Sequence, residues 1–244
     1  MKKGSPFMKI AVISDIHSNI FALGAVINDI KRHNVDLTVC LGDLVGYCTF
    51  PNKVINLIRE LNVSTIMGNY DEAVGNELMV CGCDYPDPMD IENASISLNW
   101  TIDETTEENK IFLRELPKEL VIVFENKTVR FVHGSPRKLN EYLEENSSEA
   151  DEVMEELAED VLVCGHTHKP YYKKYGSKML INAGSVGKPK TGKSNASYVV
   201  LSKYGEDLRV EIIEVPYDFE KTAAAIEQQG LPKELAELIR TGKA

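Results

Sequence analysis

The first sixty residues after Met8 alternate between two periodicities, and that alternation constrains the fold most. Lys9–Ser14 (KIAVIS) is a short apolar, β-branched run that reads as a buried strand. Ile20, Leu23, Ile27 and Ile30 then recur at steps of three and four, the spacing of a helix face. Asp36–Leu41 (DLTVCL) reads as a second buried strand. Pro51 opens a further helix with Val54, Ile58 and Leu61 on one side, and Ser64–Met67 reads as a third strand. Strands separated by helices pair in parallel, with right-handed crossovers. Their carboxyl ends then fall on one edge of the sheet, where α/β proteins place their ligands.

The rest of the chain changes character. Gly75–Pro88 is loop-rich and contains Cys81-Gly82-Cys83. Helices are expected near Ile91–Trp100 and Glu107–Leu116. Leu120–Phe124 and Thr128–His133 read as strands around the turn Glu125-Asn126-Lys127. Asp160–Cys164, Tyr171–Tyr175, Lys178–Asn182, Ser197–Leu201 and Leu208–Val215 read as further strands, followed by a helical tail over Glu220–Arg240. No repeat or long linker divides the chain. The expectation is one α/β domain with two sheets over residues 8–244, preceded at residues 1–7 by a leader foreign to the native start at Met8.

Polar residues able to hold a metal sit just after the strand runs. Asp15-Ile16-His17 follows the first, Gly42-Asp43 the second and Gly68-Asn69-Tyr70-Asp71 the third. His133-Gly134 ends another, and Gly165-His166-Thr167-His168 follows Asp160–Cys164. Four of the five histidines fall in these turns; the other, His33, lies in a polar stretch read as exposed. Each peptide alone is ordinary turn chemistry. Five of them on one sheet edge are a candidate metal centre. Imidazole, carboxylate and carboxamide donors without thiolate suit Mn²⁺, Fe, Co, Ni or Zn²⁺. Seven donors are too many for one tetrahedral zinc and fit two ions sharing a carboxylate. Two divalent ions with Asp15, Asp43 and a hydroxide leave the site weakly positive, which favours a phosphate substrate.

The set DIH, GD, GNYD, VHG and GHTH resembles the calcineurin-like metallophosphoesterase superfamily, in particular its small prokaryotic phosphodiesterase-like branch. The match runs from Met8 to about Val215, and GDLVGY and NAGSVGKP belong to the same resemblance. It implies a four-layer α/β/β/α sandwich with a dinuclear centre. Asp15, His17 and His168 would bind one ion, Asn69, His133 and His166 the second, and Asp43 would bridge. It also implies a hydrolase of phosphodiester or phosphoanhydride bonds in nucleotide-like substrates, using a metal-bridging hydroxide, with Mn²⁺ the leading metal. Alternatives are a phosphomonoesterase or protein phosphatase on the same centre, or a low-turnover scaffold. The family commonly has Gly-Asn-His-Asp, where the His protonates the leaving group and the Asp orients it. Here the third residue is Tyr70, followed by Asp71. A phenol with pKa near 10 is a poorer acid at neutral pH than an imidazole. Good leaving groups, or another proton source, are the two ways round this; the plainer reading is that Tyr70 packs at the rim of the centre. Asn69 is also a candidate for touching substrate. Arg137, just past His133, is a candidate phosphate grip, with a surface ion pair as the other reading.

Composition excludes several classes. At 43% hydrophobic and 27% charged residues the chain is ordinary globular material. No apolar run has the length of a membrane span, and no signal-peptide core opens the chain, so a cytoplasmic location with reduced thiols is expected for the five cysteines. Glu141–Asp160 holds ten acidic residues and no Lys or Arg, out of a net charge of −11. This disfavours bulk nucleic-acid binding. The run reads as the solvated side of a helical hairpin with Leu143, Val153 and Leu157 turned inward, or as a docking face. Gly187–Ser194 (GKPKTGKS) matches a phosphate-binding P-loop in letters, but a strand follows where the motif needs a helix, and Pro189 removes an amide donor. Its lysines read as a solvated loop at the rim of the centre. Cys81 and Cys83, with Cys48 near the Asp43 turn, read as unremarkable loop thiols, or as a redox cover or extra metal site.

Overall fold

The computed structural model describes residues 9–84, 87–124, 127–204 and 207–243. Residues 1–7, expected to be a leader, and the turn residues Glu125-Asn126 lie outside the described residues. The N-terminal part runs β1 (Lys9–Ile13), α1 (Ile20–His33), β2 (Leu37–Cys40), α2 (Pro51–Glu60) and β3 (Ser64–Thr65). Three helices follow: α3 (Asn69–Gly75), α4 (Pro88–Glu104) and α5 (Glu107–Arg114). Next come β4 (Glu119–Phe124), β5 (Lys127–Val132), α6 (Ser148–Glu156), β6 (Val161–Cys164), β7 (Tyr171–Tyr175) and β8 (Lys178–Asn182). The chain closes with β9 (Ala196–Tyr204), β10 (Asp207–Val215), α7 (Phe219–Gln228) and α8 (Lys233–Thr241).

The strands form two five-stranded mixed sheets, ordered β10-β9-β1-β2-β3 and β4-β5-β6-β8-β7. β1 pairs in parallel with β2, Ile10 opposite Leu37, and β2 with β3. β5, β6 and β8 are parallel in the second sheet, with Val129 opposite Val161 and Val161 opposite Met179. Strands buried on both faces need apolar residues at every position, which explains their continuous apolar runs. Alternate residues serve different layers. Ile10 and Val12 meet Phe131, Val161, Val163 and Ile181 of the other sheet in the central core. Ala11 and Ile13 face the outer helices, packing with Leu23, Val26, Ile58 and Ile226. Leu162 and Leu180 turn the other way, toward Ala150, Val153 and Met154 of α6. The result is the expected α/β/β/α sandwich.

Three details differ from the sequence reading. β3 has only two residues, because the Met67 amide leaves the sheet to donate to the Pro117 carbonyl at 2.7 Å. The acidic segment holds one helix, α6, rather than a hairpin, although Leu143, Val153 and Leu157 are buried as expected. The tail is two helices, broken at Gly230 in the left-handed region (φ +71°) and Pro232.

Candidate metal centre

The turns after β1, β2 and β3 are locked to one another. The Asp15 amide donates to the Gly42 carbonyl at 3.0 Å, and the Ile16 and His17 amides both donate to the Asp43 carbonyl at 2.9 Å. Gly42 (φ +93°) and Gly68 allow the second and third turns to touch: a Cβ at either would collide with the other turn's backbone. Asp15, His17, Asp43, His166 and His168 all adopt left-handed backbone, with φ between 49° and 64°. That conformation is costly for residues with a Cβ and is concentrated at functional sites.

These turns bring the predicted donors together. Asp15, His17 and His168 form one buried set and Asp43, His133 and His166 another, each with ligand-type atoms within 4.8 Å of one another. Asn69 joins the second set through Oδ1, 2.9 Å from His133 Nε2. Asp43 lies between the two: its Oδ2 is 3.7 Å from His17 Nε2 and 3.4 Å from His133 Nε2.

The tautomers follow from the partners. Nδ1 of His17, His133 and His168 meets the carbonyl oxygens of Val45 (3.0 Å), Leu41 (2.9 Å) and Lys188 (2.5 Å). A carbonyl only accepts, so each Nδ1 carries the hydrogen and each Nε2 faces inward, the arrangement typical of metal-ligating histidine. His17 Nε2 and His168 Nε2 face each other at 3.2 Å, and Asp15 Oδ1 and His166 Nε2 are buried with no hydrogen-bond partner. At His17, His168, His166 and Asp15, lone pairs converging without protons, among hard and borderline donors, fit divalent cations.

The electrostatics distinguish the two sets. Burial holds His17 and His166 down at about 3, so both are neutral at physiological pH. Burial also opposes charge on His133, but the adjacent Asp43 carboxylate outweighs it and lifts His133 to about 9. Asp71 is pushed up to about 7 by burial and by the charge of Asp43. Its carboxylate accepts from the Leu44 and Gly68 amides, both at 2.9 Å, and so splints the second turn to the start of α3.

The remaining predicted residues are placed less as expected. Tyr70 is neither a rim residue nor open to the cleft. It is 1% exposed, edge-on to His17 at 5.4 Å and tilted against Tyr47 at 4.9 Å, and its hydroxyl hydrogen-bonds with the Cys81 thiol. Arg137 departs from the phosphate-grip expectation: its guanidinium is held by Glu141 at 2.6 Å and Glu152 at 3.0 Å, which fill its donor fork at the surface. The GKPKTGKS segment leads into β9, so the P-loop is excluded, yet Lys188 is buried rather than solvated. Cys81 and Cys83, 3.1 Å apart at sulfur, belong to the site's surroundings: the Asn69 side-chain Nδ2 donates to the Cys81 carbonyl at 3.0 Å and to Cys83 Sγ at 3.2 Å. Tyr142, which the sequence reading missed, stacks on His166 with ring centres 4.1 Å apart. It lies in an acidic loop without periodicity, where no sequence signal marks it.

Comparison with known proteins agrees with this geometry. A profile of the calcineurin-like phosphoesterase superfamily domain matches residues 8–204. An uncharacterized protein of Methanocaldococcus jannaschii is 36% identical over 96% of this chain and 98% of its own length. The crystal structure of a metallophosphoesterase from Sphaerobacter thermophilus superposes with a TM-score of 0.77 at 29% identity, covering 96% of this chain and 99% of that one. A hypothetical protein from Pyrococcus horikoshii gives 0.83 at 25% identity, over 97% and 100%. With its motif peptides converged on one sheet edge, and its fold and sequence matched over nearly the whole length, the chain belongs to the calcineurin-like phosphoesterase superfamily, divalent-metal hydrolases of phosphate esters.

Proposed function

We propose that this protein is a Mn²⁺-dependent phosphoesterase that cleaves phosphodiester or phosphoanhydride bonds in small nucleotide-like substrates. The observation that carries the reading is the convergence of seven donors on two adjoining sets with Asp43 between them. Asp15, His17 and His168 would hold one ion, Asn69, His133 and His166 the other, and Asp43 both. When bound, such a pair supplies water activated at neutral pH and positive charge for the phosphoryl oxygens. The protein's own part is orientation. The carbonyls of Val45, Leu41 and Lys188 fix three imidazoles, and the Cys81–Cys83 turn fixes the Asn69 carboxamide with Oδ1 inward.

Two features support the substrate class. Tyr70 directs its hydroxyl to Cys81, so the position where relatives use an imidazole acid offers no ready proton. Anhydride and aryl leaving groups need none. A cavity of about 450 Å³ abuts the Cys81–Cys83 turn and is lined by Met79, Val80, Ile91, Ala94 and Leu98. It is large enough and apolar enough for a nucleobase or aryl group.

The test is hydrolysis of bis-p-nitrophenyl phosphate by Mn²⁺-loaded protein, set against p-nitrophenyl phosphate and a panel of nucleotide anhydrides and alkyl diesters. The expected order is anhydrides and aryl diesters well ahead of alkyl diesters. Preference for the monoester would replace the diesterase reading, and no turnover of any substrate would remove it.

A further inference from the structure

Two lysines among the described residues are almost fully buried, and they are treated differently. Lys110 is 8% exposed and its ammonium meets Glu77 Oε1 at 2.5 Å. Lys188 is 5% exposed and, among the described residues, forms no ion pair. Its ammonium lies 4.5 Å over the Tyr47 ring, and burial, followed by the charge of a second cation, Lys190, lowers it to about 7. The other groups facing it are the thiols of Cys83 and Cys48, with Asp90 weakest. A buried charge persists when something compensates it, and a ring face does so only in part.

The backbone around Lys188 is built rather than loose. Its amide donates to Ser185 Oγ at 2.8 Å, and its carbonyl accepts from His168 Nδ1. Ser185 Oγ in turn donates to the Asp15 carbonyl at 2.8 Å. Lys190 follows, its amide donating to the His168 carbonyl at 3.4 Å. Both cations are therefore tied to the loops that carry the candidate donors.

We propose that Lys188, with Lys190 beside it, forms a second anion subsite next to the metal centre, and that the substrate carries a further phosphate group seated there. This rests on the phosphoesterase reading and narrows it. A singly charged diester would leave both ammoniums uncompensated, whereas a phosphoanhydride or polyphosphorylated nucleotide matches them. The subsite also replaces Arg137, whose fork is filled by carboxylates.

The experiment uses the full chain with Lys188→Met and Lys188→Arg. In metal-free buffer, inorganic pyrophosphate and orthophosphate are compared by thermal shift at equal ionic strength. Pyrophosphate should raise the wild-type Tm clearly more than orthophosphate, and Lys188→Met should abolish that difference. Without anion, Lys188→Met should melt no lower than wild type, because it removes an uncompensated charge. In the Mn²⁺-loaded enzyme, pyrophosphate should inhibit bis-p-nitrophenyl phosphate hydrolysis about tenfold less well in Lys188→Met, with the orthophosphate constant nearly unchanged and Lys188→Arg close to wild type. Equal pyrophosphate effects in all three proteins would overturn the subsite. An equal loss for orthophosphate would overturn it too, since Lys188 would then touch only the scissile group. A Lys188→Met protein that melts well below wild type would mean that the ammonium is internally satisfied, which also overturns it. Pyrophosphate discrimination in a protein that hydrolyses no ester would support the subsite while removing the phosphoesterase reading.

Discussion

The two donor sets are built from the same residue types but are supported differently. In the first, Asp15, His17 and His168 are fixed by loops at the ends of β1 and β6. Asp15 Oδ2 accepts from Ser14 Oγ at 2.5 Å and the His166 amide at 3.0 Å. In the second set, Asp43 and His133 have equivalent backbone support: Asp43 Oδ1 accepts from the Tyr70 amide at 2.8 Å and His133 Nδ1 donates to the Leu41 carbonyl at 2.9 Å. Asn69 depends on the Cys81–Cys83 turn, and His166 rests on the Tyr142 ring, both outside the sheets. The difference teaches that the first set is part of the fold, while the second is completed by connecting segments that can vary without disturbing either sheet.

Removing the shared residue should have the largest effect. Asp43→Ala takes away the carboxylate that faces both His17 and His133, so both sets lose a donor. Activity is expected to fall by at least about a thousandfold, and metal analysis should find one ion or fewer per chain. Retention of two ions would show that the sets are independent.

The sets should also separate by pH. His133 must shed its proton to ligate, and in the metal-free protein Asp43 holds that proton up to about 9. Apparent Mn²⁺ affinity at the second set should therefore rise as pH increases, by about tenfold per unit below that value, and level off above it. His17, at about 3, is already neutral, so the first set should show little change between pH 6 and 8. Filling the first set weakens the hold of Asp43 on the proton, so the slope is cleanest in a His168→Ala background. Calorimetry in buffers of different ionisation enthalpy reads the released proton directly, and equal slopes at the two sets would break the comparison.

The support for Asn69 can be removed by itself. The double variant Cys81→Ala with Cys83→Ala deletes the thiol acceptor of the carboxamide and keeps the Cys81 carbonyl. Losing a group that orients a ligand typically weakens metal binding about 10–100-fold. The loss should be confined to one of two Mn²⁺ binding steps. A uniform loss, or none, would mean that the turn does not orient Asn69.

The strand runs and the turn peptides that carry the seven candidate donors were legible in the sequence from local rules, whereas the four-layer sandwich and the assignment of each ligand came from the resemblance to the family. Apolar runs buried on both faces mark the strands, and turn peptides after parallel strands must share an edge. What escaped depends on packing. α3 has seven residues, too few for a period to register, yet it begins at Asn69. Lys188 reads as a loop lysine because nothing nearby in sequence reveals that Tyr47, more than a hundred residues away, covers it. For Arg137 the available signal was Glu141 four residues on, but only the fold adds Glu152 and decides the competition.

The smallest effect tests the backbone side of the comparison. His168 donates Nδ1 to the Lys188 carbonyl, so its ring is part of the loop as well as a donor. His166 is tied down by stacking on Tyr142, and its Nε2 has no partner. In metal-free protein, His168→Ala should lower the unfolding free energy by about 1–3 kcal/mol, the cost of a buried acceptor left unmade. His166→Ala should cost less, because relieving the unpaired Nε2 offsets part of the lost packing. Urea unfolding in the presence of chelator measures both. Equal losses would place the two histidines on the same footing and dissolve the distinction between a set held by the sheets and a set completed by loops.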